Sequence, residues 1–95
     1  MGTMTLLQVV QKLEILDQEY TIYAKKPWIE NSIALVLKEP ESGELPREAQ
    51  ELGLSYFIEV SIANEFLEEW TFCLMSKATL KQKCLRLIQY TIKDA

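Results

Sequence analysis

The sequence predicts an α+β fold: a small, mainly antiparallel sheet of three strands, covered by helices and ending in an antiparallel helical hairpin. Three observations carry this. Two runs rich in β-branched and aromatic residues, Tyr20–Ala24 and Ile33–Lys38, alternate with the period of two expected of strands. Apolar residues recur at helical spacing near both ends of the chain. The 95 residues are 48% hydrophobic and 25% charged, a balance suited to one buried core and unlike that of disordered chains. Residues 4–95 read as a single domain, with 1–3 as an extension ahead of Met4.

The elements follow in order. Thr5 with Gln8 forms a capping box, and Leu6, Val9, Val10, Leu13 and Leu16 then fit one face of a helix over 6–16. Tyr20, Ile22 and Ala24 share one side of the first strand. In the second, Ile33, Leu35 and Leu37 lie on one face, with Ala34, Val36 and Lys38 on the other. Lys25–Ser32 between them is too long for a two-residue turn, so the pair reads as a hairpin with an extended loop. Pro46 starts and Gly53 stops a short helix over 46–52. Tyr56–Val60 is the third strand, with Tyr56, Ile58 and Val60 inward, while Phe57 and Glu59 share the opposite side and Val36 also points away from the main core. Ala63, Phe66, Leu67, Trp70, Cys73 and Leu74 mark the next helix, with Ser61 as its cap. After a turn at 76–78, Thr79 and Gln82 form a second capping box ahead of a final helix over 80–93. The order is therefore α-β-β-α-β-α-α.

Composition narrows the chemistry. There is no histidine, so Ser-His and Cys-His nucleophiles are excluded and the two cysteines, Cys73 and Cys84, match no zinc pattern. These two read as small core residues that could approach each other across the helical hairpin. No secretory signal or membrane span is legible, which makes a cytoplasmic protein the expectation. No catalytic residue, metal site or cofactor is expected.

The net charge of −4 is unevenly spread. Residues 39–69 hold nine acids against Arg47 alone, whereas 77–95 hold five bases against Asp94. Such asymmetry can steer a partner, or let the two regions attract each other within the fold. The overall acidity and the lack of aromatic interleaving near Lys77, Lys81, Lys83 and Arg86 argue against nucleic acid.

Candidate binding residues are Tyr23, Lys25, Lys26, Trp28, Phe57, Glu59 and Glu65. Trp28 either stays partly exposed as an interface anchor beside two lysines, or folds back to plug one end of the sheet. Glu59 stands either on an open sheet face or on an interaction surface with Phe57. Glu65, Glu68 and Glu69 most simply form a solvated helix face.

The segments Ile22–Trp28, Tyr56–Val60 and Ile62–Trp70 resemble those of a family of short, uncharacterised bacterial proteins. The resemblance implies a bacterial cytoplasmic protein and assigns no activity, cofactor or partner. The leading expectation is a small protein–protein interaction module, of immunity or regulatory type, that meets its partner through Trp28; a homodimer formed through the sheet edge or the Phe57 face is a further reading. The alternative is a small ligand-binding protein or enzyme that uses the carboxylates Glu59 and Glu65 with the Tyr23 and Tyr56 hydroxyls.

Overall fold

A computed structural model describes residues 3–74 and 77–94. The fold is α+β, built on a four-stranded antiparallel sheet rather than three strands. The elements are β1 (Met4–Thr5), α1 (Leu6–Gln11), a 3-10 turn (Leu13–Ile15), β2 (Thr21–Ala24), β3 (Ile33–Leu37), α2 (Arg47–Glu51), β4 (Ser55–Glu59), α3 (Val60–Phe72) and α4 (Leu80–Asp94). Across the sheet the order is β1-β3-β2-β4, which leaves β4 at one edge. The expected order α-β-β-α-β-α-α therefore lacked its first element. β1 is two residues long, paired as Met4↔Ala34 and Thr5↔Ile33, and two residues carry no periodicity to read.

Thr5 serves both as the end of β1 and as the cap of α1. Its hydroxyl accepts from the Gln8 amide at 3.2 Å, and the Gln8 side chain accepts from the Thr5 amide at 2.9 Å. The helix expected over 6–16 breaks after Gln11. Leu13–Ile15 tightens into the 3-10 turn, and Asn64 of α3 donates its amide to the Leu13 carbonyl at 3.0 Å. The stripe still reaches the core through Leu6, Val9, Val10 and Leu13, but Ile15 points to solvent.

The sheet has two covered faces. Ile22, Ala24, Ala34 and Ile58 meet α1, α3 and α4 in the main core, and Val36 packs against the same cluster. Tyr23, Leu35, Leu37, Ala49 and Leu54 form a smaller core under α2. β3 is apolar on both faces, so its alternation could not say which face was which; Val36 faces the main core, contrary to expectation. α2 ends in a Schellman motif. Leu54 N donates to Ala49 O at 2.8 Å and Gly53 N to Gln50 O at 3.1 Å, with Gly53 at φ 69°. Ala49 and Leu54, the residues that this motif brings together, are the ones α2 buries.

The largest departure is in β4. Ile22 lies opposite Ile58 but Tyr23 lies opposite Tyr56, so Phe57 is an extra residue in a β-bulge. The bulge turns Phe57 and Ile58 to the same side. Phe57 is only 3% exposed and belongs to the main core, while Tyr56 and Glu59 face the α2 side with Tyr23 and Thr21. The expected pairing of Phe57 with Glu59 on one surface is thereby overturned.

α3 starts at once after β4, at Val60 rather than Ala63, with Glu59 and not Ser61 in the cap position. Phe66 stacks on Tyr90 at 4.1 Å and Trp70 lies beside Gln82 and Arg86, the arrangement of an antiparallel pair. Thr79 and Gln82 make the expected capping box, at 2.8 and 3.1 Å. Ser76, expected in the preceding turn, lies outside the described residues, as do Met1 and Gly2. No helix of the described residues is long and apolar enough to cross a membrane.

The cysteines are both free. Cys73 is exposed and Cys84 is buried at 1% exposure, and no disulfide joins them. Burial, and secondarily the charge of Glu30, push the Cys84 thiol from 9.0 up to about 11. The raised value means that the unfolded chain gives up this proton first as pH rises. Stability is then full below pH 9 and falls between pH 9 and 11, by roughly 2–3 kcal/mol. Thermal unfolding followed across that window should show the loss, and Cys84→Ala should flatten its first part.

Candidate functional site

The loop after β2 folds back onto the sheet edge. Ser32 organises it: its hydroxyl accepts from the Ile29 amide at 2.8 Å and donates to the Pro27 carbonyl at 3.1 Å. Trp28 is thereby held over the end of the sheet, half-buried. Its indole Nε1 donates to the Ala24 carbonyl at 3.1 Å, and its ring meets Phe57 edge to face at 4.9 Å. Of the two alternatives posed by the sequence, folding back is the one observed, although one side of the ring still borders solvent. Lys26 lies over that ring, its ammonium 5.1 Å from the centroid, and Lys25 is exposed.

Beside this plug runs an apolar groove of about 240 Å³. Trp28 and Phe57 line it from the sheet end, Ile62 from the first turns of α3, and Tyr90 and Thr91 from the last turns of α4. Tyr56 stands at its rim, 44% exposed, and Ile62 is 37% exposed. Lys26, Trp28 and Phe57 from the candidate residues are thus brought together, and the structure adds Tyr56, Ile62 and Tyr90. Tyr90 was the single aromatic in the final helix. Its contribution was concealed because the partner it needs, the bulged β4, is distant in sequence.

The remaining candidates do not join them. Tyr23 is 1% exposed in the smaller core, its ring edge-on to Tyr56 at 6.4 Å. Burial, then the nearby Glu39 carboxylate, raise its hydroxyl above the ordinary tyrosine range; Tyr56 is raised by burial and by Glu59. Among the described residues the buried Tyr23 hydroxyl makes no hydrogen bond of good geometry, although the Thr21 side chain lies near enough to counter part of its rise. Such a group costs stability, so Tyr23→Phe is expected to raise it by about 1 kcal/mol or leave it unchanged. A loss beyond that, measured by denaturant unfolding, would mean that the hydroxyl is bonded in solution.

Glu59 is exposed at the end of β4 opposite Thr21. Glu65 belongs to a different surface, an open recess with Glu68, Glu69, Phe72 and Cys73 that does not include Glu59. Glu65 therefore shares no recess with Glu59 or the tyrosines, whereas Glu59 acts on the Tyr56 hydroxyl beside it. Among the described residues, no three acidic or cysteine side chains converge as a metal ion would require.

A larger polar cleft of about 350 Å³ lies between the 3-10 turn, α3 and α4. Several of its polar groups already join these elements: Asn64 donates to Leu13 O and to Gln18 Oε1, and Thr71 Oγ donates to Leu67 O. The acidic middle and basic final helix are not zipped together either. Among the described residues the single ion pair is Arg47–Glu51 within α2, 3.2 Å long and solvent-exposed, a kind that contributes little.

Comparison with protein-family profiles, with curated proteins and with solved structures finds no match to this chain.

Proposed function

We propose that the protein is a small protein–protein interaction module and that it binds its partner through the groove beside β4. The observation that carries this is the grouping of Trp28, Tyr56, Phe57 and Tyr90, with Ile62, around an apolar recess next to an edge strand. Aromatic side chains gathered around an accessible recess are what interface centres favour. The recess is also smaller than the roughly 300–1,000 Å³ typical of small-molecule sites, which favours one protein side chain over a cofactor. Membership of a family of short bacterial proteins belongs to the same proposal, as does a cytoplasmic location.

The rim provides the test, because Trp28 and Phe57 hold the fold together. Ile62→Asp and Tyr56→Ala alter partly exposed side chains and should leave the fold intact. A protein captured from a native bacterial lysate by the wild type should be lost to Ile62→Asp and weakened with Tyr56→Ala. Equal retention by wild type and Ile62→Asp would remove the groove from the proposal.

A further inference from the structure

We infer that the groove accepts a partner segment bearing one bulky apolar side chain, with acidic residues on one flank only. This rests on the proposed role of the groove and adds the chemistry of its occupant.

The size of the recess sets the apolar part: about 240 Å³ lined by Trp28, Phe57, Ile58, Ile62 and Tyr90 holds a single large side chain. The charged part comes from the Ser55 end of β4. Ala24 lies opposite Ser55, so Lys25 and Lys26, which follow Ala24 directly, stand at the Ser55 end. Lys26 is held 5.1 Å from the centre of the Trp28 ring, which is itself a wall of the groove. A carboxylate next to the anchored side chain therefore comes within reach of an ammonium. Glu59, at the other end of β4, is exposed on the α2 side of the sheet and does not line the groove. The positive charge beside the groove is therefore confined to the Lys26 end, next to Trp28.

Both lysines are exposed, and neither takes part in an ion pair among the described residues. They are a basic island in a chain that is acidic overall, with a net charge of −4. A second copy of the chain is a poorer occupant through edge-to-edge pairing, because the bulge at Phe57 interrupts the edge that two β4 strands would share.

A random displayed-peptide library selected on the full chain tests this. Peptides that move the Trp28 indole resonance are expected to share one bulky apolar residue with Asp or Glu on one side of it. Their affinity should fall with salt and by about tenfold or more in a Lys25→Glu, Lys26→Glu double variant. These exposed side chains can be reversed without disturbing the core: loss of the Lys26–Trp28 contact lowers the melting temperature modestly, and a transition that stays cooperative verifies the fold. Groove-binding peptides without acidic flanks, or with affinity indifferent to the double variant, would overturn the inference while leaving the groove as the binding site. No peptide that perturbs Trp28, or self-association of the chain that closes the groove, would overturn both.

Discussion

Phe57→Ala is expected to destabilise the protein by about 3–5 kcal/mol, the range for truncating a buried phenylalanine. Tyr56→Ala, one position earlier, should cost no more than about 1 kcal/mol, mainly the edge-on contact with Tyr23. The contrast depends on the bulge. Simple alternation through Tyr56–Val60 turns Tyr56 inward and leaves Phe57 outside, and it therefore requires the reverse ranking. In the structure Phe57 is buried among the main core residues and against Trp28, while Tyr56 sits at the groove rim. Denaturant unfolding of the two variants decides between the registers, because a one-residue slip exchanges which side chains face the core.

Trp28→Ala should be the next most damaging, at about 2–4 kcal/mol. The aromatic contact with Phe57 contributes about 0.5–1.5 kcal/mol beyond its burial. The indole hydrogen bond to the Ala24 carbonyl adds about 1 kcal/mol, and the Lys26 contact about 0.5–1 at an exposed site. Loss of the half-buried ring surface accounts for the remainder. Trp28→Phe keeps a ring against Phe57 and gives up the hydrogen bond, so it should recover more than half of the loss. A Trp28→Ala variant as stable as the wild type would show that the loop does not hold the sheet edge. The same energetics make Trp28 a poor choice for a binding test, since its removal alters fold and groove together.

Much of the fold was legible where its causes are local. The capping boxes at Thr5–Gln8 and Thr79–Gln82 need only residues three apart, and both are formed. The β2–β3 hairpin and the short helix before Gly53 likewise follow from patterning and turn chemistry. What could not be read depends on distant partners. β1 exists because Met4 and Thr5 find Ala34 and Ile33. α1 stops where it does while Asn64, far along the chain, takes the Leu13 carbonyl. The bulge puts Phe57 against Trp28, a contact between residues that no periodicity links.

The site was legible in the same partial way. Lys26, Trp28 and Phe57 stood out as residues and do come together, but the reason given for Phe57 was the opposite of the observed one. Glu59 and Glu65 looked related because they are near in sequence. A strand end and the outward face of the following helix carry them to different surfaces. Tyr23 had the right chemistry for a site and the wrong place, since α2 covers it.

The most direct measurement of the central claim uses the two tryptophans, Trp28 in the groove and Trp70 on α3. Their indole N–H resonances report separately in a proton–nitrogen correlation spectrum of the labelled chain. On addition of a captured partner, or of a selected peptide, the Trp28 resonance is expected to shift together with the amides of Tyr56, Ile62 and Tyr90, while that of Trp70 stays in place. A partner that binds while the Trp28 resonance and those amides stay unmoved would contradict the groove as the binding site.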